Sequence, residues 1–186
     1  MRKLGVALLL LPLILLPAAQ VSAQERGQAG LVMGIPTNFG FIWHASDKLA
    51  VRPELGLTFT ANESESNVFG STSSESDGHA VTVGASVLWY LAKYDNVRTY
   101  VAPRFTYGHA STENSQGTST PSDAVSVSGN FGAQFTPARK FAVFGEIGYG
   151  FNRTTSEFSS PIVTAETKST AWSTRGAVGV IFYFGS

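Results

Sequence analysis

The chain has no cysteine, three histidines and two methionines, and charged residues make up 14% of it. Without cysteine there is no disulfide framework, no thiolate metal site, no cysteine nucleophile and no lipid-modified N-terminal cysteine. His44, His79 and His109 are scattered and make no metal-ligand spacing, and no motif calls for a cofactor. A surplus of one charge sign is also missing: 13 basic residues face 13 acidic ones, and no basic stripe appears. A nucleic-acid partner is thereby excluded, because phosphate neutralisation needs an excess of Lys and Arg. Past residue 23 no apolar run is long enough for a membrane helix.

What is present begins with an export signal. Arg2 and Lys3 precede an apolar run over 4–16, and Val21-Ser22-Ala23 supplies small residues at a cleavage site. The run is shorter than a bilayer span and is interrupted by Pro12, with Pro17 directly after it, which argues against a membrane helix. Residues 1–23 read as a signal peptide and residues 24–186 as one exported domain. Losing Arg2 and Lys3 leaves that domain mildly acidic.

From Gly30 onward, bulky apolar residues alternate with small or polar ones, which is the period of strands. Seven blocks stand out, over 39–45, 49–61, 79–92, 97–110, 124–136, 141–153 and 170–184. Connections alternate between short (46–48, 93–96, 137–140) and long (62–78, 111–123, 154–169). If the short turns share one end, an antiparallel meander that closes with both termini there needs an even strand count. Residues 30–35 supply the eighth strand, although 30–45 also reads as one long bulged strand. The expected fold is all-β, an eight-stranded antiparallel up-and-down transmembrane barrel.

Each strand carries one continuous apolar face. Leu55, Leu57 and Phe59 oppose Glu54, Gly56 and Thr58; Val83, Val87 and Trp89 oppose Gly84, Ser86 and Tyr90; in the last strand the parity flips, so that Val178, Val180, Phe182 and Phe184 face outward together. A soluble ligand-binding barrel would turn this face inward, and a membrane barrel would turn it toward lipid. The opposite face, rich in Gly, Ala, Ser and Thr, carries Arg52, Glu54, Arg104, Glu146 and Arg175. Those five form the expected lumen charge network, since the interior of eight strands is just wide enough for side chains to fill. Aromatics gather toward both strand ends: Trp43, Trp89, Phe135, Phe141 and Phe184 at the short-turn end, and Phe59, Tyr107, Tyr149, Phe151 and Trp172 at the other. Such pairs of belts mark the two interfaces of a bilayer. Pro53 and Pro103 interrupt strands and lead us to expect local bulges.

The hairpin over 43–56 recurs loosely at 89–108 and again at 135–150, and the chain ends in the strand Gly176-Ala177-Val178-Gly179-Val180-Ile181-Phe182-Tyr183-Phe184. In these features the chain resembles the small outer-membrane β-barrel proteins of Gram-negative bacteria, related to the membrane domain of outer membrane protein A. The resemblance implies an outer-membrane location, contact with outer-membrane lipid and lipopolysaccharide, and recognition of the aromatic-ended strand by the assembly machinery. Gly185 and Ser186 follow the aromatic residue that the family's pattern would place last.

Three functions are compatible with such a barrel. A structural or surface-interaction role with a side-chain-filled lumen is the expectation, its long acidic connections (Glu63, Glu65, Glu75, Asp77, Glu113, Asp123, Glu157, Glu166) being solvated and mobile. A narrow ion or solute channel is the alternative. The third is a lipid A-modifying enzyme: His109-Ala110-Ser111 resembles the His-x-Ser element of lipid A deacylases, with Asp123 as orienting acid. The same tripeptide recurs at His44-Ala45-Ser46, and we expect no catalysis.

Overall fold

A computed structural model of the protein describes residues 26–36, 38–66, 72–114, 119–159 and 164–184. The export signal read over 1–23 lies outside the described residues, as do Gly185 and Ser186. Eight strands follow one another: β1 (Ala29–Ile35), β2 (Asn38–Ser46), β3 (Leu49–Ser66), β4 (Thr72–Tyr94), β5 (Val97–Asn114), β6 (Ser119–Ala138), β7 (Phe141–Ser159) and β8 (Thr164–Phe184). Each pairs antiparallel with its sequence neighbours, and β1 pairs β8 to close the barrel. Residues 30–45 thus form a hairpin rather than one bulged strand.

Two expectations fail. The segments expected to be long connections are mostly strand, because the β3–β4 ladder runs without a slip from Leu49↔Trp89 to Ser66↔Thr72, and β7–β8 runs likewise to Ser159↔Thr164. Periodicity reveals a strand only where one face is apolar. Beyond the belts both faces meet water, and the register set lower down simply propagates through Ser- and Thr-rich sequence. The prolines produce no bulges either. Pro53 stays in register opposite Ala85, and Pro103 opposite Gly129. Proline lacks only its own N–H, so each loses one ladder bond on one side, toward β2 for Pro53 and toward β4 for Pro103, where the pairing resumes in the same register. Register shifts fall instead beside the short turns, at His44/Ser46, Tyr90/Ala92 and Phe135/Ala138.

The alternating faces segregate as the sequence pattern requires. Phe39, Trp43, Leu55, Val83, Trp89, Phe105, Phe131, Ile147 and Val178 are exposed on the outside, while Val32, Ile42, Leu88, Tyr100, Phe144, Ile181 and Tyr183 are buried within. An apolar patch that encircles the whole molecule is far larger than a soluble monomer carries, and its solvent is lipid. Between Phe141 and Phe151, or Leu49 and Phe59, the wall has the roughly 9–11 residues per strand that a bilayer requires. At the far belt Trp172 stacks on Tyr149, with ring centres 5.6 Å apart, and meets Phe151 edge-on at 5.4 Å.

Candidate functional site: the lumen plug

The interior is filled by two polar layers. The deeper, near the short turns, is built from β2, β4, β6 and β8. The Tyr90 hydroxyl donates to Gln134 Oε1 at 3.0 Å, Gln134 Nε2 donates to the Tyr183 hydroxyl at 3.0 Å, and that hydroxyl lies 3.3 Å from His44 Nε2. The His44 and Tyr90 rings stack, and the Arg98 guanidinium lies 4.1 Å from the centre of the Tyr90 ring. Arg98 also donates to the main-chain carbonyl of Asp47, tying the plug to the β2–β3 turn.

The second layer is ionic. Arg52 Nε meets Glu54 Oε1 at 2.8 Å, and Arg52 Nη1 meets Glu146 Oε1 at 2.7 Å. Arg104 pairs with the other oxygen of Glu54. The Tyr100 hydroxyl donates to Glu146 at 2.7 Å, and Ser86 donates to Glu54 at 3.1 Å. Arg52 is 2% exposed, so its charge is tolerable only with the two carboxylates against it. Its guanidinium also lies over the Phe144 ring, 5.2 Å from the centre.

Of the five residues read from sequence, the structure brings Arg52, Glu54, Arg104 and Glu146 into one ion-pair cluster. Arg175 lines the same interior, near Arg104, Asn130 and Glu146, but makes no ion pair among the described residues. Sequence reasoning missed the tyrosines, His44, Gln134 and Arg98. Their signal is a bulky side chain on the otherwise small and polar parity, as at Tyr90, Tyr100, Phe144 and Tyr183. Facing glycines make the room: a Cβ on Gly179 would lie 2.6 Å from the Phe144 ring. Two spaces beside the ionic layer each hold about 10 Å³, roughly one water. Above it, Thr58, Thr60, Ala80, Ala110 and Thr112 line a vestibule of about 180 Å³.

On the outer face, His109 Nδ1 bonds Asp123 Oδ1 at 2.9 Å, and the Tyr107 hydroxyl donates to the same oxygen at 2.8 Å. Both bonds hold the Asp123 carboxyl below its usual range, the His109 bond contributing most. Ser111 Oγ pairs with Ser119 Oγ at 2.9 Å rather than with His109. The base and its orienting acid are together, whereas the nucleophile-to-base bond of a hydrolytic triad is not made.

No protein-family model matches the chain, and no curated protein does either. Among solved structures, it is similar to a major outer membrane protein from Thermus thermophilus, with a TM-score of 0.57 and 12% identity over 84% of this chain and 98% of that one. The fold is that of a small outer-membrane barrel. Alignments also reach CarO of Acinetobacter baumannii (TM-score 0.44, 14% identity, 88% of this chain and 100% of that one) and Ail, the attachment invasion locus protein of Yersinia pestis (0.43, 15%, 86% and 99%).

Proposed function

We propose that the protein is a non-catalytic outer-membrane barrel with a structural or surface-interaction role, its lumen closed by side chains. The observation that carries this reading is the buried Arg52 held between Glu54 and Glu146, with two spaces beside the ion pairs that are each about the size of a water. An open pore would leave these groups hydrated, and the pairs would have little reason to interlock. In this reading the short turns face the periplasm, the extended hairpins project outward, and lipopolysaccharide surrounds the far belt. Residues 1–23 direct export and are removed, and β8 carries the signal for the assembly machinery.

The test is to compare heated with unheated protein on a denaturing gel and then to record single-channel current in planar bilayers. A heat-modifiable band without conductance is expected. Discrete conductance would replace the plugged barrel with a channel, and a chain that folds only without detergent would overturn the membrane assignment.

A further inference from the structure

The wall is of unequal height. Strands β3 to β8 have 18 to 23 residues, whereas β1 has 7 and β2 has 9. Seven residues fall short of a bilayer span. Pairing of β1 with β8 ends at Ile35↔Val178, and pairing of β2 with β3 ends at Phe39↔Leu55. Both β8 and β3 continue: Trp172 and Phe59, their belt aromatics, lie farther from the short turns than this hairpin tip. Among the described residues no strand joins β3 to β8 above the tip. Among the described residues the wall therefore has a notch that opens sideways within the membrane, on the side of the long hairpins.

Three features show what the notch is built to meet. Backbone groups on the facing edges of β3 and β8 have no strand partner there among the described residues, a costly state in hydrocarbon. Thr58, Thr60 and Ser173 share the inward parity of buried Arg52 and Ile181, yet they are exposed. A space of about 10 Å³ lined by Pro36 of the hairpin tip and by Gly176 and Ala177 of β8 leads from the notch to Arg104, Asn130, Glu146 and Arg175. Arg175 lies on β8 just above the last pair with β1, and it makes no ion pair among the described residues. Around the mouth the outer surface is apolar, with Ile35 72%, Phe59 81% and Trp172 65% exposed.

We propose that this notch is a binding site for an anionic, phosphate-bearing lipid of the surrounding bilayer. The headgroup phosphate lies at the mouth between β3 and β8, on the Arg175 side, while the acyl chains lie along Ile35, Phe59, Trp172 and Val178. Phosphate fits on two counts. The ionic layer beside the notch holds Arg52, Arg104 and Arg175 against Glu54 and Glu146, so an anion balances the local charge; and a planar guanidinium together with backbone N–H groups on the strand edges matches phosphate oxygens. The site borders the ionic layer of the plug and rests on the transmembrane reading above.

The test uses two single-tryptophan forms of the protein, one keeping Trp172 beside the notch and one keeping Trp89 at the opposite belt. Each is placed in phosphatidylcholine vesicles containing a minor fraction of either phosphatidylglycerol or phosphatidylcholine brominated on its acyl chains. Brominated phosphatidylglycerol should quench Trp172 at a several-fold lower fraction than brominated phosphatidylcholine does, with no such preference at Trp89. Arg175→Gln should abolish the preference and Arg175→Lys should keep most of it. Equal quenching of Trp172 by the two lipids, or a preference that survives Arg175→Gln in a chain with a heat-modifiable band, overturns the site. Quenching at neither tryptophan overturns the transmembrane reading itself. The unsubstituted Arg175 comparison decides alone if the Gln variant does not fold.

Discussion

Tyr100 and Gly132 sit directly opposite each other on β5 and β6, and the tyrosine ring covers the glycine so closely that a Cβ at 132 would lie 2.6 Å from Cε2. This pairing lets the Tyr100 hydroxyl reach over Gly132 to Glu146, the residue paired with Gly132 on β7, and so joins the wall to the ionic layer.

Gly132→Ala should therefore destabilise the barrel by about 1–3 kcal/mol through overpacking. It should do so without altering the outer surface. The temperature at which the folded gel band disappears would fall, and an unchanged temperature would show that the ring moves aside freely.

Glu146 is shared by Arg52 and Tyr100, and its loss leaves a buried cation short of a partner. Glu146→Ala should lower stability by about 3–5 kcal/mol, the cost of breaking a buried pair from one side. It should also produce current in bilayers. Adding Arg52→Met should recover most of the stability, because both charges of the broken pair are then gone and Glu54 keeps Arg104. If melting and conductance match the parent protein, the plug is not held by these pairs.

Val83 points outward on β4 midway between the two belts, whereas Glu157 lies beyond the far belt. Replacing Val83 with Arg should cost about 2–4 kcal/mol in a bilayer, and Glu157→Arg about 0–1 kcal/mol. Reversible unfolding in lipid vesicles measures both. Similar costs at the two sites would contradict the placement of the apolar band.

Asp123 stands outside the membrane span, and its carboxyl is held low by hydrogen bonds from His109 and Tyr107. A depressed carboxyl lends stability that is fully present above its unfolded value and is lost as pH falls through its folded value. Amide exchange in the part of the β5–β6 hairpin around His109 and Asp123 should, once corrected for the intrinsic pH dependence of exchange, show constant protection at neutral pH. Protection should fall only in acid, below the ordinary carboxylate range. Asp123→Asn should remove that acid-dependent step; a step retained in the variant would assign it to another group.

Much of this is legible in the chain itself. The two faces of β3 and β4, the flipped parity of β8 and the need for a strand before Phe39 all follow from a period of two, because a strand in a barrel wall must choose lipid or lumen at every residue. The charges at 52, 54, 104 and 146 are legible for the same reason: no other parity keeps them out of lipid. Periodicity fails where neither face is apolar, so the hairpin extensions look like connections in the sequence. It also fails at Pro53, where one missing N–H suggests a bulge that the neighbouring ladder makes unnecessary.

The alternation of side chains, by itself, determined that this protein is a barrel with a greasy outside and a small, charged inside, since those properties are set residue by residue along one strand. Which inward charges meet was decided only by closure, because register between distant strands brings Arg52 to Glu146 and leaves Arg175 without an ion-pair partner among the described residues. The notch is likewise a property of the closed wall. A short hairpin is visible in the sequence, but its consequence appears only when β8 and β3 rise on either side of it, beyond the last residues that pair with β1 and β2.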